Sequence, residues 1–145
     1  MNIIEIVVTV CSTVAGSVTI AFTTFYLRER SKKRTLFRAL YDEIKLNIQV
    51  AQRQTKKPNL VFELSPLYTL SYQNIRTTGE LLSLPEGTRR ELEEVYEMIY
   101  AHNRQLPAAS EFLPRDRGLY ERAEKIVEKL KTLENELPKN LKFLG

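Results

Sequence analysis

Residues 5–24 read EIVVTVCSTVAGSVTIAFTT, and this stretch constrains the fold more than any other part of the chain. It lies within an apolar run over residues 3–27, in which Glu5 is the only charged residue. A helix of about 20 apolar residues crosses the bilayer core, whereas a cleaved signal peptide would carry basic residues before the run. The pattern predicts a transmembrane helix in residues 1–27. Glu5 then either reaches the membrane surface or serves as an intramembrane acid.

Basic residues follow the apolar run at once, in the stretch RERSKKR at 28–34. Positive charge stays on the cytoplasmic side, so we expect a single-pass protein of the cell membrane with its N-terminus outside and residues 28–145 in the cytoplasm. Each basic side chain near an anionic surface gains about 1 kcal/mol. The candidate contacts to lipid headgroups are Arg28, Arg30, Lys32, Lys33 and Arg34. A topology signal without lipid specificity explains the same residues.

Small and polar residues recur through the run at spacings of 4, 3, 4, 3 and 4, which places them on one side of a helix. They are Glu5, Thr9, Ser12, Gly16, Thr19 and Thr23. Small side chains allow another membrane helix to approach closely. The alternative is that the hydroxyl groups bond to carbonyls of their own helix. We expect this side to pack against another transmembrane helix.

The remaining chain reads as an all-α bundle of about four helices over residues 28–145, beginning with a basic helix next to the membrane. Gly and Pro are absent between Gly16 and Pro58, so the first helix is expected to continue to about Gln54. Further helices are expected from Pro66 to about Thr77 after an N-cap at Ser65, from a capping box at Ser83 and Glu86 to about Gln105, and up to a stop at Pro138. An extended piece at 60–64 and docking of Phe143 and Leu144 are further possibilities.

Two asparagines, Asn47 and Asn103, fall on or beside apolar stripes of different helices. A polar pair in a bundle core can determine helix register. The alternative is that both side chains reach solvent.

Catalytic, cofactor-binding and metal-binding residues are not expected anywhere in the chain. It has one His and one Cys, so no pair is spaced to share a metal ion. No Gly-rich phosphate loop or nucleophile elbow occurs. Nucleic acid is not an expected partner either, because the basic residues cluster beside the apolar run.

The order of these motifs resembles that of a loose class of uncharacterised prokaryotic single-pass membrane proteins. The matching stretches are the apolar run with its basic flank, DEIKLNI at 42–48 and GELLSLPEGTRRELEEVYEMIYAHN at 79–103. The positions that carry the resemblance are Glu43, Ile44, Asn47, Gly79, Leu84, Pro85, Leu92, Tyr96, Ile99 and Asn103. The resemblance covers most of the chain and implies a span joined to a small helical domain.

These features predict a non-enzymatic interaction protein, an accessory or structural subunit that assembles with an integral membrane protein or with its own copies. The alternative is a membrane-anchored module in which residues 28–57, with a net charge of +7, bind anionic lipid and recruit or regulate soluble partners.

Overall fold

The computed structural model describes the backbone of residues 2–56, 65–109 and 117–141, and the side chains of residues 2, 13–55, 65–106 and 118–139. The described elements are α1 (Ile3–Lys56), α2 (Leu70–Thr77), a short 3-10 helix (Glu80–Ser83), α3 (Glu86–Ala109) and α4 (Arg117–Leu141). No strand occurs in these ranges. The all-α prediction with about four helices is therefore confirmed.

Helix α1 is continuous from Ile3 to Lys56, as the absence of Gly and Pro after Gly16 predicts. The chain divides into two compact units, Met1–Arg34 and Thr35–Gly145. The first unit contains the start of α1. The second contains the rest of α1 and all the other helices.

The prediction of a transmembrane helix is not supported by this fold. Over the residues that the structure describes, no helix is at once long enough and apolar enough to cross a lipid bilayer. The stretch of α1 with described side chains begins at Thr13 and meets its first charged residue at Arg28. It is therefore short, and it contains Gly16 and several hydroxyl groups.

The second unit encloses one hydrophobic core, to which three long helices contribute. The spacing of the buried residues follows the helical repeat that the sequence predicts. They include Phe37, Leu40, Ile44, Ile48 and Ala51 in α1, Leu92, Val95, Tyr96 and Ile99 in α3, and Ile126, Leu130, Leu133 and Leu137 in α4. Full burial of one such aliphatic side chain contributes about 1.5–3 kcal/mol, so this core holds the bundle together.

Side-chain pairs show how the helices of the second unit run. Glu94 of α3 forms an ion pair of 2.9 Å with Lys129 of α4, and Gln105, later in α3, bonds to Arg122, earlier in α4. These two helices are therefore antiparallel. Contacts from α1 to α3 advance in the same direction along both helices, from Glu43 with Tyr96 to Gln54 with His102, so α1 and α3 are parallel.

Helix α2 begins at Leu70, so the prediction of a helix from Pro66 with an N-cap at Ser65 was wrong. Residues 65–69 are not helical. Side chains from α1 and α3 bind the backbone of this segment and replace the hydrogen bonds that a helix would have supplied. We call residues 65–69 the strap.

Helix α3 begins at Glu86, two residues later than an N-cap at Ser83 predicts, and the predicted capping box is not formed. Ser83 belongs to the 3-10 helix, and its hydroxyl donates to the Glu80 carbonyl over 2.6 Å. The predicted stop of α2 at Gly79 is confirmed, since this glycine has a φ of 75°, a left-handed conformation that favours glycine.

Two helices continue through prolines that lie at or beyond the ends predicted from the sequence. Helix α3 continues through Pro107 to Ala109, and α4 continues through Pro138 to Leu141. A proline removes one hydrogen bond to the carbonyl four residues earlier. In the last turns, where carbonyls lose their helical partners in any case, the helix tolerates that loss.

Several expectations fall outside the described residues. These are the extended piece at 60–64, the docking of Phe143 and Leu144, and the side-chain roles of Glu5, Thr9 and Ser12.

Candidate functional site

The described part of α1 in the first unit exposes its large apolar side chains. Their exposed fractions run from 55% to 71%. The residues are Val14, Val18, Ile20, Phe22, Phe25, Tyr26 and Leu27. At about 100° per residue these positions form one sector of about 120°, from Val14 to Tyr26, and a narrow second sector with Ile20 and Leu27 on the opposite side of the helix. A helix with exposed apolar side chains on two opposite sides is not covered by a partner that contacts one face only.

A sector of about 100° between these two apolar sectors carries Gly16, Thr19 and Thr23 of the predicted packing side. A Cβ atom at Gly16 would meet no described atom within 4 Å apart from its own stretch of helix backbone. The Thr19 hydroxyl donates to the Ala15 carbonyl, and the Thr23 hydroxyl to the Thr19 carbonyl, each over 2.8 Å. The hydroxyl hydrogens are therefore bonded within the helix itself. What favours contact with a neighbouring helix in this sector is the small size of its residues. Its contact with another helix stays a prediction.

The predicted lipid contacts form a ring of positive charge at the end of the first unit. Arg28, Lys32 and Arg34 are exposed, and Arg30 and Lys33 are half-buried. Successive helical positions distribute these five residues around the axis, with no gap wider than about 120°. Lys32 lies 3.0 Å from Glu29, an exposed ion pair of the kind that contributes little stability.

In the second unit, the predicted register residues bind the strap and not each other. The Asn47 amide donates to the Tyr68 carbonyl over 2.8 Å and accepts from the Tyr68 N–H over 2.7 Å. The Asn103 amide makes the same two bonds with Leu67, both at 2.8 Å. Neighbouring residues of an extended chain direct their backbone groups to opposite sides. The strap thus lies between α1 and α3, with one asparagine on each side.

Glu43 supplies the N-terminal cap of α2 from a distant part of the chain. Its Oε2 accepts the Ser71 N–H over 2.6 Å, and its Oε1 accepts the Tyr72 N–H over 3.3 Å. The local N-cap residue, Thr69, makes no capping bond with its side chain. The negative charge of Glu43 also suits the positive end of the helix dipole.

The hydroxyl of Tyr96 completes the binding of Glu43, donating to Oε1 over 2.8 Å. Burial, followed by the charge and hydrogen bond of Glu43, raises the pKa of Tyr96 well above 10.0. The Tyr96 ring stacks on Tyr72 with centroids 4.0 Å apart and planes 9° from parallel. This buried carboxylate therefore joins α1, α2 and α3.

A second buried pair lies at the start of the strap. The Gln54 amide donates to the Ser65 carbonyl over 2.8 Å, which turns its oxygen toward Nε2 of His102, 3.2 Å away. That oxygen can only accept, so Nε2 carries the proton and Nδ1 has a bare lone pair. Nδ1 is buried without a hydrogen-bond partner. Burial, and then the charge of Arg122, lower the pKa of His102.

Sequence reasoning missed this polar network except for its two asparagines. In the sequence, Glu43 is one of two adjacent acidic residues, and Gln54 marks only the expected end of the first helix. The available signal was their spacing from Asn47, because residues 43, 47 and 54 share one side of α1 with the apolar core positions. Among the described residues, no three His, Cys, Asp or Glu side chains are grouped to hold a metal ion.

Comparisons with protein-family models, with curated proteins and with solved structures found no match to this chain. The resemblance to a class of prokaryotic single-pass membrane proteins therefore stays a prediction.

Proposed function

We propose that this chain is a non-enzymatic interaction protein of the cell membrane. The apolar run at 3–27 anchors it as a single pass with the N-terminus outside, and the helical bundle lies in the cytoplasm. Its partner is another membrane helix, from an integral membrane protein or from a second copy. In this role it is an accessory or structural subunit.

The observation that carries the proposal is the exposure of large apolar side chains around α1. A single soluble partner would cover one of the two apolar sectors, whereas lipid together with a packed helix can cover both. Isolated apolar patches of this extent are uncommon on monomeric soluble proteins. The polar network of the second unit supports a structural role for the bundle, because its side chains are bound to the backbone of the strap and of α2.

The sector of Gly16 is the proposed contact with the partner helix. Because a Cβ atom at Gly16 meets open space among the described residues, an isoleucine side chain there begins without a clash. It also improves helix propensity by about 0.5 kcal/mol. Any loss of assembly on Gly16→Ile must then come from a neighbouring chain.

Native mass spectrometry of the full chain, extracted gently from its own membranes, tests the proposal. Gly16→Ile is expected to abolish the complex. Ala21→Ile, five residues later and about 140° around the helix, is the matched control and is expected to preserve it. Thr19→Val and Thr23→Val are expected to preserve it also, since their hydroxyls bond internally.

The composition of the wild-type complex identifies the partner. Additional membrane proteins would indicate an accessory subunit, and whole multiples of 16.9 kDa would indicate self-assembly. Unchanged assembly of the Gly16→Ile variant would contradict the proposed contact.

A further inference from the structure

We infer that the ring formed by Arg28, Arg30, Lys32, Lys33 and Arg34 binds anionic lipid headgroups as α1 passes steeply through the headgroup layer. This inference rests on the proposed membrane function. It adds a lipid class and an orientation to that function.

The distribution of charge around the axis indicates the orientation. A helix that lies along a membrane surface carries its cations on one face and its apolar residues on the other. Here the cations surround the axis, and the exposed apolar residues before them lie on two opposite sides of the helix. This arrangement suits a helix surrounded first by acyl chains and then by headgroups.

The length of the ring matches the layer it is assigned to. Arg28 and Arg34 are six residues apart, a rise of about 9 Å along a helix. The headgroup region on each side of the hydrocarbon core is about 5–8 Å thick. The exposed aromatic side chains of Phe22, Phe25 and Tyr26 lie just before the ring, where an aromatic belt is expected.

The net charge of the ring selects anionic lipid. Residues 28–34 contain five basic side chains and one acid, Glu29, which pairs with Lys32 at 3.0 Å. The exposed guanidinium groups of Arg28 and Arg34 suit phosphate oxygens, which arginine binds through two parallel hydrogen bonds. The occupant is therefore the phosphate of an anionic phospholipid.

The test uses the full chain reconstituted in phosphatidylcholine vesicles with and without phosphatidylglycerol. Electron paramagnetic resonance of spin-labelled lipids gives the association constant of phosphatidylglycerol relative to phosphatidylcholine at the protein surface. We expect a preference for phosphatidylglycerol that falls with added salt. The double variant Arg28→Gln, Arg34→Gln is expected to lower the preference toward parity, by up to about thirtyfold for the two charges removed.

The double variant Arg53→Gln, Arg90→Gln removes the same charge from exposed positions of the second unit and is expected to leave the preference unchanged. If the wild-type chain enters vesicles but shows no preference, or if both double variants lose it equally, the inference is overturned while the proposed anchoring stands. If the chain fails to enter vesicles of either composition, the proposed function itself is overturned.

Discussion

Replacing Asn47 and Asn103 with leucine, singly and together, tests how the strap is held. Leucine has a similar size but cannot form hydrogen bonds. Each single variant loses two bonds of 2.7–2.8 Å to the strap backbone. The substitution also leaves one N–H and one C=O of the strap without a protein partner.

The expected magnitude follows from these lost bonds. A hydrogen bond contributes a net 0.5–1.5 kcal/mol, and a buried group left unpaired costs about 1–3 kcal/mol. Leucine at the fully buried position 47 recovers part of this through apolar burial. We expect each single variant to lower the free energy of unfolding by about 2–4 kcal/mol. Because both asparagines hold the same strap, we expect the double variant to cost less than the sum.

Two measurements on the full chain report on this. Near-ultraviolet circular dichroism of the stacked Tyr72 and Tyr96 follows urea unfolding of the second unit. Amide hydrogen exchange locates the local effect, with faster exchange first at Tyr68 in Asn47→Leu and first at Leu67 in Asn103→Leu. Single variants that each cost less than about 0.5 kcal/mol, or strictly additive losses, would refute the reasoning.

Three further outcomes are expected from the same network. Burial and the charge of Arg122 lower the pKa of His102 below its ordinary 6.5, so the unfolded chain binds the proton more readily. The contribution of His102 to the free energy of unfolding is therefore fully present above pH 6.5. Below pH 6.5 it decreases by at most 1.36 kcal/mol per pH unit, until the folded-state pKa is passed. Urea titrations at several pH values should show this slope in the wild type and not in His102→Gln. Glu43→Leu should lower the free energy of unfolding in urea by about 3–5 kcal/mol, because the Tyr96 hydroxyl and two N–H groups lose their acceptor. Glu43→Gln keeps one side-chain oxygen and should lower it by less. Equal losses in the two variants would contradict this account. Gly79→Ala should cost about 1–2 kcal/mol in thermal unfolding through its left-handed backbone alone, since an added Cβ meets no atom within 4 Å, and an unchanged midpoint would count against that conformation.

Much of the helical architecture was predictable, because it depends on local patterns. The continuity of α1 after Gly16 follows from the absence of Gly and Pro up to Pro58, and its buried side follows from the spacing of Phe37, Leu40 and Ile44. The stop of α2 at Gly79 follows from the preference of left-handed backbone for glycine.

The features that sequence reasoning missed depend on contacts between distant residues. Ser65 followed by Pro66 has the form of a helix start, but Asn47 and Asn103 bind the following backbone and delay the helix to Leu70. The cap of α2 comes from Glu43, 28 residues before Ser71. The helix propensity of a short segment does not reflect hydrogen bonds from distant side chains, because these bonds form only in the tertiary structure.

The way the strap is bound has a consequence for how this chain can diverge in evolution. The hydrogen bonds of the two asparagines go to main-chain atoms of Leu67 and Tyr68, which every residue type except proline provides. Substitutions at the half-exposed Tyr68 should accumulate freely, whereas Leu67, which is 3% exposed, must stay apolar. Distant homologues would then share the two asparagines and one buried aliphatic residue, while the other residues of the strap would show no sequence similarity.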